Sequence, residues 1–251
     1  MTQPRTLYTK KKGSIAELVL NRPEVLNAEN RQLVNDFHRA LDELEAAADL
    51  KAVIVTGAGR AFCSGIDLKE LSAGQIKLDW FRRTDEAVRR LECLNALTIA
   101  KIRGYAIGGG LQIALACDFR VSTPDSHLGL PAVLEALIPG MGTYRLPRFI
   151  GLGRARRMVL TGELVDGSEA LRIGLVDWVA ADHDLDHKTQ ALAETALRGS
   201  STVRGFAKKL VTSSFESDYD QAFAAYLDYQ QQSLDSEDHR RTMMEYRQRK
   251  K

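Results

Sequence analysis

The hydrophobic pattern alternates short apolar, β-branched runs with amphipathic stretches. Ile15–Leu20 and Ala52–Val55 are runs of the first kind, and between them 31–49 carries Leu33, Val34, Phe37, Leu41 and Leu44 at helical spacing. This predicts strand, helix, strand. Thr98–Ile107 reads as another strand, Gly108–Ala116 as a helix and Asp118–Val121 as a strand, which makes a second alternating unit. Such alternation favours parallel pairing with right-handed crossovers, so the first part of the chain is expected to be α/β. After Gly153 the pattern becomes helical: Arg154–Leu160, Ser168–Arg172, Leu185–Leu197, Thr202–Val211 and Tyr219–Leu234, with one strand expected over Gly174–Val179. In the last of these helices Phe223, Tyr226, Leu227 and Leu234 recur every three to four residues, so one face needs something to pack against, for which another subunit is a candidate.

The 251 residues are 44% hydrophobic and 27% charged, the composition of a soluble globular chain able to bury a sizeable core. No Pro/Gly/Ser-rich linker divides it, so one principal domain is expected. Thirty-five Lys and Arg against 33 Asp and Glu leave a net charge of +2, too balanced for nucleic acid or an anionic membrane as the bulk partner. Cys63, Cys93 and Cys117 form no CxxC pair, which predicts a reducing, cytoplasmic setting and no metal site. No apolar run follows the charges near the N-terminus, and no stretch of about 20 apolar residues is present, so neither a signal peptide nor a membrane span is expected.

Two glycine-bearing turns carry the candidate chemistry. Thr56–Leu71 (TGAGRAFCSGIDLKEL) and Lys101–Asp118 (KIRGYAIGGGLQIALACD) each follow a β-like run and open a helix-like one. Backbone N–H groups exposed by such turns can hold a phosphate or a developing oxyanion, although two tight loop connections would look the same. Neither GK[ST] nor GxGxxG spacing is present, which argues against nucleoside triphosphates and dinucleotides. His127 is the one histidine near these motifs, and the end of a surface strand is the simpler reading for it. Asp67 and Asp118 read as a helix cap and a structural aspartate.

AFCSGIDLKEL, GYAIGGGLQIALACDFRVSTPDSHLGLPAV and IPGMGTYRLPRFIGLGRARRMVLTGE, in that order, closely resemble the enoyl-CoA hydratase/isomerase family, the crotonases, from about residue 7 to the C-terminus. The resemblance implies an α/β fold: a crotonase-like spiral of ββα turns over 1–195 and a helical C-terminal trimerisation region over 196–251, assembled as a homotrimer or hexamer. It implies an acyl-CoA thioester as ligand, as in fatty acid metabolism, with coenzyme A arriving as part of the substrate and no separate cofactor. It places two backbone oxyanion donors at Ile66 and Gly109. Around them Ala61, Cys63, Ser64, Asp67, Leu68, Gly108, Ala132 and Tyr144 are the expected substrate-binding residues. Fixed donors aimed at an enolate oxygen in a water-poor site are typically worth about 3–4 kcal/mol each in the transition state.

The departures from the family pattern bear on the reaction. The two glutamates of a hydratase fall at Gln112 and Ala132, and neither position carries a carboxylate. Gln112 can orient a water or a carbonyl but is no base near neutral pH. Because such groups typically contribute about 10²–10⁴ each in rate, ordinary hydration is expected to be crippled. Glu135, three residues after Ala132, shares a face with it if 132–137 is a helical turn, and is then a replacement acid/base; a surface glutamate is the alternative. An isomerase, or a decarboxylase acting on a malonyl-type thioester, is expected ahead of a hydratase. A non-catalytic acyl-CoA binding protein is the rival from another class. Ile76, Leu78 and Trp80 could close over the acyl chain. Lys69 and the terminal run Arg240, Arg241, Arg247, Arg249, Lys250 and Lys251 could meet the phosphates, with a solvated basic helix as the plainer reading of that tail.

Overall fold

The computed structural model describes residues 5–249. The chain winds as a spiral whose successive turns place a strand in a large sheet, a shorter extended segment in a second layer, and then a helix. Strands β1 (Leu7–Lys12) and β2 (Ile15–Leu20) form a hairpin and lead to α1 (Arg31–Glu45); β3 (Ala52–Gly57) leads to α2 (Leu68–Ser72) and α3 (Leu78–Cys93). The next turn is β4 (Leu97–Ile102), β5 (Tyr105–Ile107) and α4 (Gly109–Leu115), and the one after it β6 (Phe119–Ser122), β7 (His127–Gly129), α5 (Gly142–Ile150) and α6 (Leu152–Thr161). β8 (Leu164–Asp166), α7 (Gly167–Ile173), β9 (Trp178–Val179) and α8 (Leu185–Thr195) complete the spiral. The C-terminal helices are α9 (Ser201–Ser213), α10 (Tyr219–Asp235) and α11 (Glu237–Arg249). The large sheet runs β1-β2-β3-β4-β6-β9, parallel apart from β1, and the small one runs β5-β7-β8.

The central strands are buried on both faces, which is why IAELVL and AVIV read as near-continuous apolar runs. Helix α1 buries Leu33, Val34, Phe37, Leu41 and Leu44, and Asn30 caps it by accepting from the Leu33 N–H at 2.9 Å. It stops at Glu45, short of the expected Asp49. The strand expected over Thr98–Ile107 is two strands in different sheets: Gly104, at φ +63°, turns the chain between them where a side chain would strike the Arg60 carbonyl. The strand expected over Gly174–Val179 shrinks to Trp178–Val179, because Gly174 at φ +81° ends α7 and Leu175 and Val176 enter the core without pairing. Helix α3 was not legible. Its buried stripe of Trp80, Ala87, Val88 and Leu91 is interrupted by a crowd of charged positions. Ile76 and Trp80 are buried while Leu78 is exposed, so only part of the 72–80 stretch could cover a ligand.

Asp118 is structural: it accepts from the Thr98 N–H and hydroxyl and from Lys208. His127 opens β7 at the surface against Tyr105. Phe223, Tyr226, Leu227 and Leu234 are 44–49% exposed on α10, so this chain alone does not cover them. Arg240 and Arg241 are exposed on α11, while Lys250 and Lys251 lie outside the described residues.

Candidate active site

The second layer of the spiral builds the site. Leu26 and Asn27 both adopt left-handed backbone, with φ of 54° and 58°. The buried Asn27 side chain fixes this bend, accepting from the Arg22 N–H at 2.8 Å and donating to the Ala58 and Ala61 carbonyls at 2.9 and 2.8 Å. The chain leaves the bend running beside the first glycine turn: the Glu29 N–H donates to Gly65 O at 2.7 Å and the Asp67 N–H donates to Glu29 O at 2.9 Å. On the next turn of the spiral, Cys63 N–H donates to Tyr105 O at 2.8 Å and Ile107 N–H to Cys63 O at 3.0 Å; then Gly108 N–H donates to Gly129 O at 2.9 Å. Three successive turns thus bring Glu29, Ile66 and Gly108–Gly109 together.

Glycine is required at two of these contacts. Gly65, at φ +89°, would carry a Cβ 2.8 Å from Ile107 O, and a Cβ on Gly109 would overlap the Glu29 carboxyl. Among the described residues, neither the Ile66 N–H nor the Gly109 N–H has a hydrogen-bond partner. Both residues line one cavity of about 360 Å³. Its apolar wall comes from Val25, Trp80, Phe81, Val88, Leu137 and Ile138, and its carboxyl groups are Glu29, Asp67, Asp85 and Glu135. Among the described residues no lysine, arginine or histidine lines it.

Of the residues singled out from the sequence, Ile66, Gly109, Gln112, Glu135, Ser64, Asp67, Leu68, Gly108 and Ala132 line this cavity. Pro131–Glu135 is a 3-10 turn, in which residues three apart eclipse, and this puts Ala132 and Glu135 on the same wall. Three expected residues do not reach it. Ala61 and Cys63 are buried behind the wall, where the first gives its carbonyl to Asn27 and the second donates its thiol to Asn27 O at 3.2 Å. Tyr144 faces away and stacks beneath the Arg148 guanidinium at 3.4 Å, because its place on α5 turns it toward Phe215 and the C-terminal helices.

Two of the carboxyls were missed in the sequence. Glu29 is 1% exposed, and the one hydrogen bond to its carboxyl among the described residues is a long one, 3.9 Å from the Cys63 thiol. Burial, with the nearby charge of Asp85 added, pushes its pKa up to about 7. Half-buried Asp85, on α3, is raised as well, chiefly by burial, against the opposing pull of Arg145 and the Met141 N–H. Burial and the Glu29 charge push the Cys63 thiol well up, so it is no nucleophile. Asp67 behaves oppositely: although burial works against its charge, Arg22 at 2.9 Å and the N–H groups of Glu70 and Lys69 hold its pKa below the usual range. It caps α2. Gln112 is engaged too, its Oε1 accepting from the Gly142 N–H at 3.0 Å, which fixes the start of α5 against the cavity floor.

A spiral of this kind, with Ile66 and Gly109 lining one apolar cavity, is the crotonase fold. The chain belongs to the enoyl-CoA hydratase/isomerase family, whose model matches residues 10–251. It is 36% identical to YngF of Bacillus subtilis over 98% of this chain and 96% of that one, and 33% identical to the short-chain-enoyl-CoA hydratase of Clostridium acetobutylicum over 86% and 84%. Among solved structures, the enoyl-CoA hydratase of Bacillus anthracis superimposes with a TM-score of 0.91 at 28% identity, covering 97% of this chain and 96% of that one. DspI of Pseudomonas aeruginosa gives 0.90 at 29%, covering 99% and 96%. An acyl-CoA enzyme is the activity this family supports, and no helix among the described residues is long and apolar enough to cross a membrane.

Proposed function

We propose that the protein is an enoyl-CoA isomerase, which moves a double bond from the 3- to the 2-position of an acyl-CoA thioester through an enolate. The observation that carries this reading is that Ile66 and Gly109, whose N–H groups have no hydrogen-bond partner among the described residues, line the same apolar cavity. A thioester oxygen between them would be stabilised as negative charge develops, and the apolar surroundings would strengthen that interaction. Hydration is disfavoured because Gln112 and Ala132 stand where a hydratase has glutamates, and Gln112 is in addition tied to the Gly142 N–H. Decarboxylation of a malonyl-type thioester is disfavoured by charge: the substrate carboxylate would meet four carboxyl groups and no cation among the described lining residues. The α10 face carrying Phe223, Tyr226 and Leu227 supports a homotrimer or hexamer, and free Cys63, Cys93 and Cys117 support the reducing cytoplasm as its compartment.

The test is a panel of 3-enoyl-, 2-enoyl- and malonyl-type CoA thioesters, with products identified by mass and by the absorbance of the conjugated thioester. Conversion of the 3-enoyl to the 2-enoyl compound, without hydration or release of carbon dioxide, is the expected outcome. Binding of all three without turnover would favour the non-catalytic acyl-CoA carrier instead.

A further inference from the structure

An isomerase needs a group that removes a proton from one substrate carbon and returns it to another, and neither family position supplies one here. We propose that the Glu29 carboxyl is that group. The inference rests on the isomerase reading and adds to it the residue that carries the proton.

Three features place Glu29 rather than the other cavity carboxyls in this role. The first is position. Its backbone is bridged to Ile66 and its carboxyl lies against the Cα of Gly109, so it borders both residues whose N–H groups would hold the thioester oxygen. The α-carbon of a bound thioester is the atom next to the carbonyl so held. Asp85 is farther round the wall, beside Gln112 and Gly140, and Glu135 is exposed on its 3-10 turn.

The second feature is availability. A buried carboxyl usually gathers several strong hydrogen bonds, but Glu29 has the single long one from Cys63, so its proton affinity is not committed to structure. Asp67, by comparison, is consumed by Arg22 and by the cap of α2. The third is proton affinity. A pKa of about 7 lets one group act as base and then as acid near neutral pH. Burial sets it first, then the charge of Asp85 on α3, against the Cys63 thiol, which pulls it down; the other titratable groups facing the same cavity are Asp67, paired with Arg22, and Glu135.

The step balances without any co-reactant. The Glu29 carboxylate takes a proton from C2 of the 3-enoyl thioester; the C–H bond breaks, an O–H bond forms, and the electron pair passes into a dienolate whose oxygen faces Ile66 and Gly109. The same O–H then delivers its proton to C4. A C4–H bond forms, the double bond settles between C2 and C3, and the carboxylate is restored.

The experiment compares wild type, Glu29→Gln and Asp85→Asn on a 3-enoyl-CoA substrate, with thioester binding measured separately by calorimetry and folding by circular dichroism. Glu29→Gln should bind the thioester about as tightly as wild type and lose about 100-fold or more in kcat. In wild type, kcat/KM should rise with pH on an acid limb near about 7, and Asp85→Asn should move that limb to lower pH by removing a negative neighbour. The limb in wild type and Asp85→Asn remains readable even if Glu29→Gln fails to fold; a limb that stays in place in Asp85→Asn then overturns the proposal. Wild-type turnover with a folded Glu29→Gln protein within about threefold of it overturns the proposal and leaves the isomerase standing. Absence of turnover in wild type removes the isomerase reading and this inference with it.

Discussion

Replacing Glu29 by glutamine should change the pH dependence of stability by an amount the structure specifies. In the folded protein the carboxyl titrates at about 7, against 4.5 for an exposed glutamate, because burial and Asp85 disfavour its charged form. A raised carboxyl pKa means that the folded state holds the proton more tightly than the unfolded state. Its contribution to stability is therefore fully present below about pH 4.5, falls as pH rises through the window up to about 7, and is flat above it. Integrated between about pH 5 and about pH 8, that window amounts to about 2 to 3 kcal/mol. Glutamine does not titrate. The variant should therefore gain about 2 to 3 kcal/mol on wild type between the two pH values, whatever fixed cost its amide carries at both. Urea unfolding at equal chain concentration, run at both pH values, gives the four free energies needed. A gap between variant and wild type that stays constant within about 0.5 kcal/mol would refute a buried, strongly perturbed Glu29.

Four further outcomes are expected. Hydration of crotonyl-CoA by wild type should be negligible, and Gln112→Glu with Ala132→Glu should raise it in a product assay, since both positions line the cavity and glutamate at 112 keeps an acceptor for the Gly142 N–H. Gly109→Ala should lower isomerase turnover by about 100-fold or more in a protein that still folds, because its Cβ displaces the Glu29 carboxyl or the turn itself. Arg120→Met should destabilise the fold by about 3 kcal/mol in urea unfolding; this 2% exposed arginine donates to Asp177, Leu175 O and Cys117 O, and its loss leaves them unpaired. Light scattering should report a trimer or hexamer, with Leu227→Asp on the exposed α10 face shifting it toward monomer.

The motif turns were legible because their glycines, with the apolar runs before them, are local signals. Ile66, Gly109 and Ala132 follow from the family resemblance through their places in SGID, GGG and LGLPAV, and Glu135 from its three-residue spacing to Ala132 on one short turn. Glu29 was not legible. In the sequence it is one polar residue ahead of the Asn30 cap of α1, and nothing local distinguishes it from a surface glutamate. Its burial comes from the left-handed Leu26–Asn27 bend and from pairing with a segment nearly forty residues away. Asp85 was hidden for a related reason, since α3 carries several charged positions and only the packing of Val88 and Trp80 shows which face is inward. Tyr144 shows the reverse error: sequence proximity to the pocket-floor motif put it in the site, and the direction of α5 points it elsewhere.

The central claim is that the protein forms an enolate by removing a proton from the α-carbon of an acyl-CoA thioester, and a 3-enoyl-CoA carrying deuterium at both C2 positions tests it most directly. The product should be the 2-enoyl thioester with one deuterium gone from C2, formed more slowly than from the undeuterated compound. Recovery of the starting thioester with both deuterium atoms in place, from protein shown to bind it, would contradict the claim.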